Sequence, residues 1–266
     1  MIVTRFAPSP TGLLHLGHAF AAIRAAESGD DFLLRIEDLD RGRSRDTLIE
    51  AIYRDLKWLG LSWNEPVLRQ SRRGDAYAAA LAMLTAKGLT YPCICSRREI
   101  ADEIARAGDA PHGPDGPLYP GTCRHLPSAP QGQPHVLRLD AAKAAALAGP
   151  LTFREHGHVM PVDPLRFGDI VLARKDLPAA YHLAVVVDDA FQGVTLVTRG
   201  EDLAPATHVQ RLLQALLGLP EPAYAHHRLV LDEAGRKFSK RDQAVTLASL
   251  RESGATPSDI RALLGL

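Results

Sequence analysis

Two histidines bracket a glycine in His15-Leu16-Gly17-His18, directly after the proline-broken stretch "RFAPSPTGLL". A glycine at position 17 leaves the backbone open to close approach by a flat ligand or a phosphate. A helix beginning near His18 would add unpaired N–H groups and the positive end of its dipole, both of which favour an anion. Imidazoles three residues apart can face that anion from one side of the first turn. This is the chemistry of a nucleoside triphosphate site, although a capped helix start with two surface histidines accounts for the tetrad equally well. A second group, Lys237 and Lys240, flanks Ser239 in "GRKFSKR", after a turn at Glu233-Ala234-Gly235. Ammonium groups on such a loop can close over transferring phosphates, while the commoner origin of a basic loop is plain solvation. The third group is Cys93, Cys95 and Cys123. Three soft sulfur ligands stand one short of the tetrahedral shell of a structural zinc, with His125 or His112 in range as the fourth; the alternative is three buried free thiols.

These groups need elements to hold them. The chain has 266 residues, 46% hydrophobic and 23% charged, which suits one large domain or one domain carrying an insertion. Lys+Arg and Asp+Glu stand at 31 each, so no global field draws a polyanion, and the local stripe "RQSRRG" is either a solvated face or a small RNA contact. No run of eighteen apolar residues and no basic-then-apolar leader occurs, so a cytoplasmic protein without membrane contact is expected, a setting that disfavours disulfides. "MIVTRFAP" reads as a strand, Ala19 to Ser28 as a helix, and "DDFLLRIED" as a second strand ending in carboxylates. "SRDTLIEAIYRDLKWLGL" is an amphipathic helix with Ser44 as its cap. This alternation predicts a parallel α/β sheet with its ligands at the carboxyl ends of the strands. The Gly/Pro-dense middle, through "AGDAPHGPDGPLYPGTCRHLPSAPQGQP", predicts an irregular inserted module held by something other than a core. Beyond it, "AVVVDD" and "GVTLVTRG" read as buried strands, "ATHVQRLLQALLGL" as a helix, "HHRLVLDEAGRKFSKRD" as a strand leading into the basic loop, and the last twenty-odd residues as helical.

His15-Leu16-Gly17-His18 and Lys237-Phe238-Ser239-Lys240-Arg241 resemble the two signature motifs of class I aminoacyl-tRNA synthetases, with Leu16 in place of the usual isoleucine and Phe238 in place of methionine. The surrounding "RFAPSPTGLLHLGH", "RIEDLD", "AYHLAVVVDD", "TRGEDL" and "KFSKR" narrow the resemblance to the glutamyl subgroup, across nearly the whole chain. It implies an α/β fold: a Rossmann-type parallel sheet split by an inserted zinc-containing module, with a short helical C-terminal part. The expected division is a first catalytic half over 1–85, the zinc-bearing insert over 86–165, a second catalytic half over 166–225, and the lysine loop with a stem-contact remnant over 226–266.

The resemblance also implies roles. L-glutamate would be held by Arg5, Phe6, Ala7, Pro8 and Ser9, by Glu37 at its ammonium, and by Tyr181 and Arg199. A dicarboxylate suits arginine forks, and an ammonium suits a carboxylate. ATP, with Mg²⁺, would meet His15, Gly17, His18 and Lys240, with His15, His18, Lys237 and Lys240 as the catalytic set acting by orientation and charge stabilisation. One structural Zn²⁺ per chain would sit on Cys93, Cys95, Tyr119 and Cys123, with His125 the alternative to Tyr119. Full-length members continue into anticodon-reading domains. The short relatives, expected to act as monomers, activate glutamate without tRNA and attach it to the queuosine base at the wobble position of tRNA(Asp). The competing expectations are a truncated synthetase charging the 3′ end of tRNA(Glu) and a non-catalytic RNA- or protein-binding paralogue.

Overall fold

The computed structural model of the chain describes residues 1–107, 111–174, 176–231 and 245–266. Its elements begin β1 (Val3–Phe6), α1 (Leu16–Glu27), β2 (Asp31–Ile36), α2 (Asp46–Trp58), β3 (Asn64–Arg69), α3 (Gly74–Ala86), β4 (Thr90–Cys93), α4 (Arg97–Ala107), β5 (His112–Gly113) and β6 (Gly116–Pro117). They continue β7 (Val136–Leu139), α5 (Ala141–Ala148), β8 (Thr152–Glu155), β9 (His158–Pro161), β10 (Val171–Arg174), α6 (Tyr181–Phe191), β11 (Leu196–Gly200), α7 (Ala206–Leu217), β12 (Ala223–His227), α8 (Leu247–Glu252) and α9 (Pro257–Leu264). Two units result: Met1–Arg72 with Gly193–Ala204 and Pro222–Leu266, and Arg73–Gln192 with Pro205–Glu221.

In the first unit every residue of β1 is buried, as befits a strand covered on both faces. β1 pairs parallel with β2, from Val3 opposite Asp31 to Phe6 opposite Leu34, and β2 pairs parallel with β3. β11 and β12 are parallel as well, from Leu196 opposite Ala223 to Gly200 opposite His227. The Thr195 N–H donates to the Val3 carbonyl at 3.0 Å, and the Val3 N–H donates to Thr195 Oγ1 at 2.8 Å, which aligns β11 beside β1. The parallel sheet expected from the strand–helix alternation is therefore present, and its carboxyl edge gathers the ends of β2, β1 and β11. One hydrophobic core joins Phe6, Phe20, Ile23, Leu34, Ile52 and Leu56 to Leu247, Ile260 and Leu264 of the last two helices.

α2 departs from expectation at its start. Arg45, not Ser44, is the N-cap residue and makes no side-chain cap. The Arg45 N–H donates to the Pro10 carbonyl at 3.2 Å, which draws the chain one residue further before it coils.

The second unit contains the antiparallel sheet β10-β7-β4, the β8–β9 hairpin, the short β5–β6 pair, and helices of which α3, α6 and α7 pack together. "AVVVDD" is a correction: it lies in α6 rather than in a strand. Its valines favour strands locally, but Leu183, Ala184, Val185 and Val186 are buried where α6 meets α3 and α7. Asp188 fixes the helix further, accepting from the Tyr77 hydroxyl at 2.6 Å and from Arg73 Nε at 3.2 Å. Among the described residues no helix is long and apolar enough to cross a membrane.

Candidate functional site

Arg5, near the end of β1, is 5% exposed, and its Nη1 donates to the Thr198 carbonyl on β11 at 3.3 Å. Arg199, next along β11, is 6% exposed; its Nε donates to His226 Nε2 at 3.1 Å, and its guanidinium lies 5.5 Å from the Tyr224 ring centroid. Glu37 follows β2, with a side chain 11% exposed whose Oε1 accepts from the fully buried Arg35 at 3.3 Å. The Glu37 N–H donates to the Pro8 carbonyl at 3.1 Å, tying the loop after β1 to the end of β2. Two buried guanidiniums and a nearly buried carboxylate thus stand at neighbouring strand ends, where an open parallel sheet receives its ligand. Such an arrangement can hold a small molecule carrying carboxylates and an ammonium. Phe6 is the exception in its segment: its side chain belongs to the core, which leaves only its backbone to meet a ligand. Ala7, Pro8 and Ser9 follow it in the loop that leads to α1. Asp38 is buried beside the site as a clamp, accepting from the Ser71 N–H and hydroxyl, both at 2.7 Å, and from Arg69 Nε at 2.9 Å.

The histidine pair does something the spacing alone does not reveal. His15 is the N-cap of α1, and its Nδ1 accepts from the Gly17 N–H at 3.1 Å, while His18 Nδ1 accepts from the His15 N–H at 3.2 Å. The two imidazoles form a reciprocal capping box, with ring centroids 3.8 Å apart. An Nδ1 that accepts has no proton, so each neutral ring carries its proton on Nε2 and offers a single N–H donor. A Cβ on Gly17 would meet His15 Cε1 at 3.1 Å, so the cap favours a glycine at this position. Thr246, just before α8, bridges to His15, and the Leu247 N–H donates to the Leu14 carbonyl at 2.8 Å. Lys237 and Lys240 lie outside the described residues. Tyr181 opens α6 in the second unit and is 38% exposed.

Also in the second unit, the sulfurs of Cys93, Cys95 and Cys123 lie within 4.8 Å of one another. Cys93 comes from β4, and Cys95 Sγ lies 3.4 Å from Cys123 Sγ. The Tyr119 hydroxyl oxygen lies 3.3 Å from Cys93 Sγ and 3.6 Å from Cys95 Sγ, and accepts from the Cys123 N–H at 3.0 Å. A tetrahedral shell with Zn–S of about 2.3 Å and Zn–O of about 2.0–2.2 Å places its corners roughly 3.4–3.8 Å apart, and the Cys95–Cys123, Tyr119–Cys93 and Tyr119–Cys95 spacings are close to these. His125 and His112 are exposed, and neither belongs to the cysteine cluster. Burial, with the neighbouring sulfurs, pushes the Cys95 thiol up to about 11. Burial opposes ionisation at Cys123 too, but hydrogen bonds from Tyr119 and from the Ile94 backbone outweigh it and draw that thiol down.

Arg35, His226, Arg138 and Asp169 were not marked by the sequence as site residues. Arg35 braces Glu37 from two residues earlier in the chain, His226 braces Arg199 through strand register, and Arg138 and Asp169 surround Tyr119 and Cys123. Arg199 faces His226 across β11–β12, and Tyr91 faces Arg138 across β4–β7.

The family described as "tRNA synthetases class I (E and Q), catalytic domain" matches residues 1–266. A Glutamyl-Q tRNA(Asp) synthetase from Rhodobacter capsulatus is 50% identical over 100% of both chains. Another from Nocardia farcinica is 48% identical over 98% of this chain and 82% of its own. A solved glutamate tRNA ligase from Elizabethkingia meningosepticum, in complex with its amino acid, superposes with a TM-score of 0.76 at 28% identity. That match covers 96% of this chain and 58% of the ligase, so the chain spans little more than half of that protein.

Proposed function

The chain belongs to the class I tRNA synthetase family (E and Q) as a ligase closely related to the Glutamyl-Q tRNA(Asp) synthetases, and from that premise we propose that it activates L-glutamate with ATP, without needing tRNA, and transfers it to the queuosine base at the wobble position of tRNA(Asp). The observation that carries this reading is the placement of Arg5, Glu37 and Arg199 at adjoining strand ends in a chain 50% identical, end to end, to an enzyme of that name.

Arg5 and Arg199 take the side-chain carboxylate of glutamate through N–H groups held in fixed planes, and Glu37 takes its ammonium. The burial of all three strengthens each contact relative to water. Their braces, Thr198, His226 and Arg35, keep them from swinging away. Tyr181 is assigned a further glutamate contact by family resemblance. His15 and His18 present Nε2–H donors at the start of α1, where the helix dipole also favours the phosphates of ATP. Lys240 and Lys237 supply cationic charge to the same phosphates, and Mg²⁺ accompanies ATP. In the first step the α-carboxylate of glutamate attacks the α-phosphorus and pyrophosphate leaves, giving glutamyl-adenylate. In the second an acceptor oxygen of the base attacks the acyl carbon and AMP leaves. No side chain need form a covalent bond, because positioning and charge stabilisation carry both steps.

Cys93, Cys95, Cys123 and Tyr119 would hold one zinc ion. The phenol oxygen is chosen over His125 because it already lies at ligand spacing from two sulfurs. The ion supplies cross-linking of a segment with little core of its own.

Glutamate-dependent exchange of pyrophosphate into ATP, run with and without tRNA, tests the activation step. Labelled glutamate on tRNA(Asp), before and after removal of the 3′-terminal nucleotide, tests the acceptor. Exchange without tRNA is expected, together with label that survives 3′ removal and requires queuosine. Label lost with the 3′ nucleotide would make the protein a 3′-charging ligase instead, and no exchange under either condition would make it a binding paralogue.

A further inference from the structure

Resting on the zinc assignment above, we propose that Arg138 is a positioning residue for that metal: it orients Tyr119 as an oxygen ligand and balances the negative charge of the ligand set. The Arg138 guanidinium carbon lies 3.8 Å from the centroid of the Tyr119 ring, a stacking distance. Lying over the ring face, the cation limits swinging of the side chain about Cα–Cβ and keeps the phenol oxygen turned toward the sulfurs of Cys93 and Cys95. On β7, Arg138 sits opposite Tyr91 of β4, two residues before Cys93, so the strand that supplies the first sulfur also fixes the origin of the arginine.

Charge explains why a cation is needed there and why it must remain available. Three thiolates and a phenolate carry four negative charges against two on a divalent ion, leaving an excess of two in a partly buried place. Arg138 lies over Tyr119, and Arg124 follows Cys123 in the chain. Arg124 is already matched: its Nε and Nη2 donate to Asp169 Oδ2 at 2.9 and 2.7 Å. Arg138 instead donates from Nη1 to the main-chain carbonyl of Asp169 at 2.8 Å, a neutral acceptor that leaves its charge uncancelled. Its buried Nε has no hydrogen-bond partner among the described residues, so the aromatic stack and a single hydrogen bond hold the group. Asp169 is the post that fixes this arrangement. It is 3% exposed and accepts from the Tyr91 hydroxyl and, at 2.9 Å, from the Ala141 N–H, besides Arg124. One residue therefore ties together β4, the Cys123 turn and the start of α5, the supports of the cluster. Groups that orient metal ligands from behind typically change affinity 10- to 100-fold when removed.

The test compares zinc affinity, by competition with a chromogenic chelator, for the full chain and for R138Q, R138K, Y119F and the double variant Y119F/R138Q. Circular dichroism of the zinc-saturated proteins establishes that each is folded. R138Q is expected to weaken zinc binding at least tenfold, R138K to recover part of the loss, and the visible spectrum of the cobalt(II)-substituted protein to shift in R138Q as in Y119F. With Tyr119 already replaced, the loss caused by R138Q should be clearly smaller, because the ring to be oriented and one of the two excess negative charges are gone. Equal losses in both backgrounds would reduce Arg138 to general support of the fold and overturn the proposal, as would unchanged zinc affinity and cobalt spectrum in R138Q. A wild-type protein purified without a stoichiometric zinc ion, and unable to take one up, would overturn the zinc assignment itself and this inference with it.

Discussion

A Cβ on Gly17 would come within 3.1 Å of His15 Cε1 and 3.2 Å of its Nδ1, while the Gly17 N–H donates to that same Nδ1. Alanine is better than glycine inside a helix by about 1 kcal/mol, and disturbing a side-chain cap costs about the same. Gly17→Ala is therefore expected to leave stability within about 1 kcal/mol of wild type, because the two effects cancel. Pyrophosphate exchange should nevertheless fall at least tenfold, since the displaced His15 ring no longer presents its Nε2–H where ATP would meet it. Unfolding by urea and the exchange assay, run side by side, separate the two effects. The tetrad itself was legible from residue types alone. A capped helix start and an anion site were both readable from it; that the two imidazoles supply the cap themselves, facing each other at 3.8 Å, was not.

Among the elements, α8 shows how the last described segment is joined to the first unit. Arg251 Nη1 donates to Asp55 Oδ1 of α2, whose side chain is 1% exposed, and the guanidinium lies 5.8 Å from the Trp58 ring centroid. Burial pushes the Asp55 carboxyl above its usual range, outweighing the opposing hydrogen bond and charge of Arg251. Removing one partner of a buried pair strands the other, so Arg251→Ala should cost about 3 kcal/mol in chemical unfolding. Adding Asp55→Asn should return much of that loss, because the stranded charge is gone. The sequence marked α2 and the terminal helices by their periodicity, but not the pairing between them. α6 illustrates the reverse failure: three consecutive valines speak for a strand, and only packing against α3 and α7 decides for a helix.

At the scale of the whole molecule, two histidines make stability depend on acidity in a known direction. His208 is held below its usual range by burial and by the charge of Arg166, and His227 by burial. His208 Nδ1 accepts from the Asp163 N–H at 3.0 Å, which also requires the neutral ring. A histidine whose folded pKa is depressed binds protons more readily when unfolded. Its contribution is complete above the unfolded value of about 6.5 and is lost as pH falls from there through the folded value. The thermal midpoint should hold steady from pH 8 to 7 and drop below about pH 6.5, with a shallower drop in the H208Q/H227Q variant. An unchanged slope in that variant would assign the acid sensitivity to carboxylates instead.

Short-range pattern alone determined the strand–turn–helix that carries His15 to His18, the amphipathic α2 and α7, the trio of cysteines and the family to which these belong. Those features depend on residues close together in the chain, where spacing is geometry. Tertiary structure decided the rest. It brought Thr198 beside Arg5 from far downstream, set His226 against Arg199, and carried Cys123 and Tyr119, which the resemblance had already named over His125, to Cys93 and Cys95. Contacts of that kind follow from strand register and from closure of long chain segments, and neither leaves a local signature in residue order.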